Sequence, residues 1–399
     1  MNLGDDVSEI DESYDVVIVG GAIMGAMAAY FLTLDPAFHG KVAVIERDPS
    51  FTFSSTTLSA ASIRQQFSIP ENIRMSRFGL EFLHGAKERF GPEIELGWHE
   101  GGYLILASEA GAPVLRANHA VQQAEGADIA LLDTGGLKAR FEWLNVEDIA
   151  LGAFGVTGEG WFDAHALLTG VRRAAKQQGA HLLTGEVTAI ERAGNRVTGV
   201  TLADGRRIGC GALVNAAGPQ AGRVAALAGI HLPVEGRKRC VFVVHCRTPI
   251  ERLPLLVDPS GFYIRPEGAY QICGAPPPDE LDINPGDDFE VDWSVFEEII
   301  WPALAHRIPA MEELKPIRAW AGHYEMNLLD HNAVIGPHPE VANLYFLNGF
   351  SGHGLQQAPA AGRAIAEWIV HGRSVSLDLH VFGYERIAAG RPYRELNII

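Results

Sequence analysis

Tyr14-Asp15-Val16-Val17-Ile18-Val19-Gly20-Gly21-Ala22-Ile23-Met24-Gly25 is the stretch on which the fold turns. Its apolar run has no polar alternation, which suits a strand covered on both faces of a parallel sheet. Two glycines end it. Residues 22–34 are rich in alanine and methionine and hold no proline, so they predict a helix. Residues 41–46 predict a second strand. The resulting β-α-β unit crosses over right-handed with parallel strands.

The turn inside that unit carries chemistry. A first glycine permits the tight bend, a small residue lets backbone approach a pyrophosphate, and a last glycine lets helix and strand pack closely. Ala22 stands where the usual pattern has its second glycine. The helix start offers free N–H groups and a positive dipole end to phosphate. Glu46, closing the second strand, can accept hydrogen bonds from a ribose diol and disfavours a 2′-phosphate. Gly20, Ala22, Ile23, Met24, Gly25, Glu46 and Arg47 are the candidate dinucleotide contacts.

Two further runs have the composition of ligand loops. In residues 54–66, Ser54, Ser55, Thr56 and Ser62 are small hydroxyl residues that can cap phosphates or lie against a flat ring. Arg64 is the fixed positive charge there. In residues 349–359, Gly349, Ser351, Gly352, His353, Gly354, Leu355 and Gln356 link a buried strand to a helix. That helix start can stabilise negative charge on a reduced ring. Taken alone, Arg64 reads first as a solvated arginine and His353 as a satisfied turn histidine.

The remaining pattern places helices over 71–90, 164–178, 293–305 and 354–371. It places strands over 102–106, 182–189, 196–202, 210–215, 240–245, 261–265, 270–274 and 343–348, with an Asp-Gly hairpin turn at 203–206. The dinucleotide signals at the start, middle and end imply a discontinuous α/β binding domain. Its expected segments are 14–95, 150–235 and 323–399. A substrate domain is expected over 96–149 and 236–322, behind a disordered acidic tail at 1–13.

Composition narrows the function. The chain has 399 residues, 47% hydrophobic and 20% charged, which suits two packed domains. A net charge of -17 repels phosphate backbones and anionic lipid, so nucleic acid is not an expected partner. No run is long enough for a membrane span. The N-terminus lacks signal or transit character, so a cytoplasmic location is expected. Cys210, Cys240, Cys246 and Cys273 show no metal-site spacing, so no metal is expected.

Together these motifs resemble the D-amino-acid oxidase superfamily of FAD enzymes, which includes glycine oxidase, the sarcosine oxidases and dehydrogenases, and dimethylglycine dehydrogenase. The resemblance rests on Gly20–Gly25 with Glu46, the 54–64 run, GWFDAHALL at 160–168, VNAAG at 214–218, GFYIRP at 261–266, residues 319–336 and 349–354. SSTTLSAASIRQQFS, AWAGHYEMN, IGPHP, GHGLQQAP and the terminal ELNII are most similar to a mitochondrial branch of FAD-dependent oxidoreductase-domain proteins tied to respiratory complex I assembly.

The resemblance implies a Rossmann-type FAD-binding domain and an α+β substrate domain on a mainly antiparallel sheet. It implies that Gly20, Gly25 and Glu46 hold the ADP half, that Val187 packs by the adenine, and that Ala217 and Gly218 line the cofactor. Gly352, His353 and Gly354 would face the pyrimidine side of the flavin. Arg64 would grip a substrate carboxylate, with Tyr324 across from it and Arg265 as the rival cation. The lysine that activates oxygen in monomeric sarcosine oxidase would fall at Ile272. Its cysteine tether would fall at Gly322 and its second substrate lysine at Gln356.

The expected enzyme holds FAD without a covalent bond. It takes a hydride from the carbon next to nitrogen of a small carboxylate-bearing substrate, as a dehydrogenase more than an oxidase, and its electron acceptor is unknown. A 2-hydroxy-acid dehydrogenase and a flavin-stabilised assembly protein are the alternatives.

Overall fold

The computed structural model describes residues 13–396. The expected acidic tail falls outside the described residues except for Ser13, which begins the first strand, Ser13–Val19. That strand is flanked in parallel by Val42–Glu46 and Arg207–Asn215. His181–Thr184 and Leu344–Asn348 extend the sheet on either side, also in parallel. Val334–Pro337 closes one edge antiparallel, and the hairpin Val187–Ala193/Arg196–Leu202 attaches to Arg207–Asn215. The mature sheet thus joins strands from the start, middle and end of the chain, as a discontinuous α/β unit requires.

Helix Ile23–Leu34 is buried on nearly every side because it lies between the sheet and two other helices. Glycine is required where these elements meet. A Cβ on Gly25 would lie 1.9 Å from the Gly20 carbonyl oxygen. Gly20 itself has φ +103, and a Cβ there would meet the Ala216 carbonyl oxygen at 2.3 Å. Helix Gly354–His371 packs against Ile23–Leu34 just as closely: a Cβ on Gly362 would come within 2.5 Å of Met27 Cβ.

The second sheet runs in the order Lys315–Asn327, Val234–His245, Tyr270–Gly274, Tyr263–Glu267, Leu255–Val257, Tyr103–Ala107, Leu151–Gly155, Ile129–Leu132. It is antiparallel except where Leu255–Val257 meets Tyr103–Ala107. Leu151–Gly155, just past the expected 149/150 boundary, pairs in this second sheet.

Local differences from the sequence expectations have physical causes. The helix expected over 71–90 breaks at Gly85 into Pro70–His84 and Ala86–Phe90. The strand expected over 182–189 is two: His181–Thr184 completes the parallel sheet, and Val187–Ala193 turns into the hairpin. The helix expected over 293–305 opens as a π-helix, Val295–Ile300, before the α-helix Trp301–Arg307. Pro302 lacks an N–H, and its ring would strike the carbonyl four residues back in a regular α-helix, which the wider turn avoids.

Candidate functional site: a cavity between two helix N-termini

One cavity, about 370 Å³, runs from the glycine turn of the first sheet to the inner face of the second. That volume is within the range of cofactor and small-molecule sites.

At one end, Glu46 is aimed by backbone. Its carboxylate accepts from Gly21 N at 2.7 Å and from Asp48 N at 2.9 Å. Gly20, Ala22, Ile23, Met24 and Arg47 line the same end, and Val187, Ala217 and Gly218 line the wall opposite. Helix Ile23–Leu34 begins here with no side-chain cap at Ala22. Thr56 supplies one polar contact, accepting from Ile23 N at 3.3 Å. Gly25 does not line the cavity; it keeps helix and strand close, one of the roles expected of it.

The loop before helix Gly354–His371 forms the middle. His353 is the N-cap residue, and its side chain caps nothing. Gly352, His353, Gly354, Leu355 and Gln356 line the cavity, whereas Gly349 and Ser351 lie behind it. Ser351 Oγ accepts from Asn327 N at 3.0 Å and thereby fastens the loop to strand Lys315–Asn327. His353 packs edge-on against Phe67, and its Nε2 has no partner. Burial, helped by the nearby Arg64 charge, holds its imidazole well below the ordinary range, so it is neutral at pH 7.

The far end is lined by Arg64, Tyr103, Arg239, Tyr263 and Tyr324. Arg64 is 2% exposed. Its guanidinium sits 4.3 Å over the Phe67 ring and donates to the Gln66 carbonyl, while Gln356 Oε1 accepts from its backbone N at 2.8 Å. Behind it, Glu159 is fully buried and accepts from Gln65 N at 2.6 Å and Gln66 Nε2 at 2.8 Å. Burial pushes the Glu159 carboxyl up to about 7. Burial also pushes Tyr103 up to about 12, and its hydroxyl donates to Ser62 Oγ. Tyr263 is pushed up for the same reason. These phenols remain protonated donors.

Arg265 lies elsewhere. Its guanidinium donates to the Ala60 carbonyl at 2.7 and 3.0 Å and pairs with Glu267, and it is not among the lining residues. The geometry instead puts Arg239 beside Tyr324. Arg239 Nη2 donates to the Tyr324 hydroxyl at 2.8 Å, and its guanidinium lies 4.7 Å over that ring. Sequence reading missed Arg239, Tyr103, Tyr263 and Glu325. Arg239 sits in a run of three cations, Arg237-Lys238-Arg239, which reads as surface; the only available signal was that the run continues directly into the apolar CVFVV. Ile272 packs with Val241 and Val243 just behind the wall. Gly322 lines the cavity, and its missing Cβ leaves room for Leu58.

The lining fits the FAD that the motifs imply. Two uncapped helix N-termini open on one cavity and suit a pyrophosphate and an electron-rich ring edge. Glu46 keeps acceptor capacity for a diol. Two buried polar atoms on the wall, His353 Nε2 and Glu325 Oε2, have no partner within the protein. None of the four cysteines lines the cavity.

Known proteins give the same picture. The chain is 42% identical to FAD-dependent oxidoreductase domain-containing protein 1 of Xenopus laevis, over 97% of this chain and 85% of that protein. It is 26% identical to the mitochondrial sarcosine dehydrogenase of Homo sapiens, over 93% of this chain and 41% of that one. Among solved structures, L-proline dehydrogenase from P. horikoshii superposes with a TM-score of 0.84 at 27% identity, covering 96% of this chain and 100% of the other. Residues 15–368 match the family described as DAO, FAD dependent oxidoreductase, so the chain belongs to that family of FAD-dependent oxidoreductases.

Proposed function

We propose that this enzyme dehydrogenates a small amino acid or N-substituted amino acid, removing a hydride from the carbon next to nitrogen. The observation that carries the reading is the continuity of the cavity. Beyond the part suited to the dinucleotide it goes on into a chamber walled by tyrosines and arginines. An aromatic wall with a few fixed polar groups suits a small zwitterion.

Arg64 is the proposed carboxylate anchor, since arginine offers two parallel donors to a carboxylate. Arg239 is the rival in the chamber, weaker because its Nη1 and Nη2 donors are already taken by Asp282, the Lys238 carbonyl and the Tyr324 hydroxyl. Tyr103, Tyr263 and Tyr324 keep their protons and orient the ligand. Neutral His353 leaves the ring edge free of added positive charge. FAD, when bound, supplies the two-electron acceptor. The protein holds the substrate carbon in reach and excludes water. None of the five side chains that wall the chamber, Arg64, Tyr103, Arg239, Tyr263 and Tyr324, is a carboxylate or an imidazole. This suits a reaction that begins from a neutral amine.

A dehydrogenase is favoured over an oxidase. Ile272 stands where the resemblance places the oxygen-activating lysine of monomeric sarcosine oxidase, and no lysine is among the cavity's lining residues. The test is anaerobic reduction of the bound flavin by a panel of D-amino acids, N-methyl amino acids, opines and 2-hydroxy acids. Bleaching by an amine substrate supports the reading. Bleaching by hydroxy acids alone overturns it.

A further inference from the structure

Glu325 is the one acidic residue of strand Lys315–Asn327, two residues from its end, and it is 8% exposed. It lines the cavity. The backbone N–H groups of Gly349 and Phe350 face its carboxyl and favour its charged form. Its own carbonyl accepts from Ser351 N at 2.9 Å. Its Oε2 is buried and has no partner. No arginine or lysine forms an ion pair with it among the described residues. Burial pushes the carboxyl up to about 7. A buried acceptor left without a donor is costly, and more so when it is charged. Clamping the loop uses the carboxyl only in part, and the unused oxygen borders the space where the cofactor belongs.

We propose that Glu325 is a cofactor-contact residue whose Oε2 accepts a hydrogen bond from a hydroxyl of the ribityl chain of FAD. The phosphates and the electron-rich ring edge would repel a carboxylate. The ribose diol is matched to Glu46 at the other end of the cavity. With the adenine amino group at the Val187 end, the neutral donors left on FAD are the ribityl hydroxyls and the ring imide. Glu325 is tied to Gly349 and Phe350, ahead of the helix start at Gly354. Phe350 meets that start, where a Cβ on Gly354 would lie 3.3 Å from Phe350 Cβ and 3.0 Å from Met24 Cε. Glu325 is therefore fastened where the two helix N-termini converge, and the ribityl chain is the part of FAD that links pyrophosphate to ring. Side chains alternate along a strand, so Glu325 points away from the face that carries Tyr324 and the Arg239 cluster. This separates it from the proposed substrate chamber.

The test uses the full-length protein stripped of flavin and titrated by fluorescence. In Glu325→Gln, which keeps one oxygen for the loop, riboflavin and FAD should each bind at least tenfold more weakly. Lumiflavin, which has the ring and no ribityl chain, should bind as it does to the wild type. Equal losses for riboflavin and lumiflavin, or no loss for either, would overturn the proposal. A measurement on the wild type needs no variant: a flavin carrying a plain pentyl chain should bind at least tenfold more weakly than riboflavin, and equal binding would overturn the proposal. Glu46→Gln separates the two ends, because it should weaken FAD and leave riboflavin unchanged.

Discussion

Asp282 grips Arg239 with both carboxylate oxygens, at 2.7 and 2.8 Å, on the same guanidinium that donates to Tyr324. Asp282 belongs to an irregular segment between strand Tyr270–Gly274 and the π-helix at Val295–Ile300. Ala275, Pro276, Asp287 and Phe289 of that segment wall the cavity. Phe289 stacks on His323 at 3.9 Å, and Asp288 pairs with Lys238 at 2.5 Å. Three contacts therefore pin the segment down. Asp282→Asn removes the charge-assisted pair, worth about 1.5–3 kcal/mol. Amide exchange over 275–292 should quicken, and FAD should leave the holoenzyme faster. Unchanged exchange there would show that the segment is held without Asp282.

Arg64 and Arg239 can be told apart as carboxylate anchors. The anchor, changed to lysine, should raise the dissociation constant of a carboxylate inhibitor at least tenfold, about 1.4 kcal/mol, with FAD still bound. We expect this of Arg64→Lys. A loss confined to Arg239→Lys would move the anchor to the Tyr324 side. Arg265→Lys should leave inhibitor affinity alone, since its donors are spent on the Ala60 carbonyl.

Glu46→Ala should weaken FAD retention by roughly 1.5–3 kcal/mol, the worth of hydrogen bonds to a charged group. Dialysis against a flavin-free buffer followed by absorbance would read it. Acid precipitation of the wild type should leave the yellow colour in the supernatant, because no cysteine lines the cavity. Colour held in the pellet would mean a covalent bond to another residue.

Flavin reduction by substrate should outpace reoxidation by air, with an artificial acceptor restoring turnover. Stopped-flow traces at air saturation would decide it, and rapid peroxide formation would contradict the dehydrogenase reading. Ile272→Lys, placing a cation just behind the wall, should speed reoxidation.

Glu159 gives stability a pH dependence of known sign. Its folded carboxyl titrates at about 7, against an ordinary value of 4.5. Between those values the folded chain holds a proton that the unfolded chain has released, so stability falls as pH rises through that window. Glu159→Gln abolishes the effect. Urea unfolding should therefore show the variant gaining on the wild type from pH 5 to pH 8. A difference independent of pH would contradict the assignment.

The first β-α-β unit was legible because its signals are local: an apolar run, glycines and an acid within some thirty residues. The loop from Gly349 to Gln356 was legible for the same reason. The Arg239 cluster was not, since it joins residues 43 and 85 positions apart. It exists only once Val234–His245 pairs with Lys315–Asn327 in one register. Glu325 was hidden differently. A charge within a strand reads as a solvent-facing position, and only the loop folding over it reveals a buried one. Arg265 misled because strand placement says nothing about which carbonyl a guanidinium will meet.

The two helix starts that open on the cavity lie about three hundred and thirty residues apart in the chain. Synthesis delivers the glycine turn and Glu46 well before Gly352 to Gln356. At roughly 5–20 residues per second the interval is tens of seconds. Throughout it the nascent chain holds half a binding site, with the buried faces of helix Ile23–Leu34 that later meet Gly362 still uncovered. Cofactor loading therefore waits until the segment from Gly352 to Gln356 has been made and has folded onto helix Ile23–Leu34.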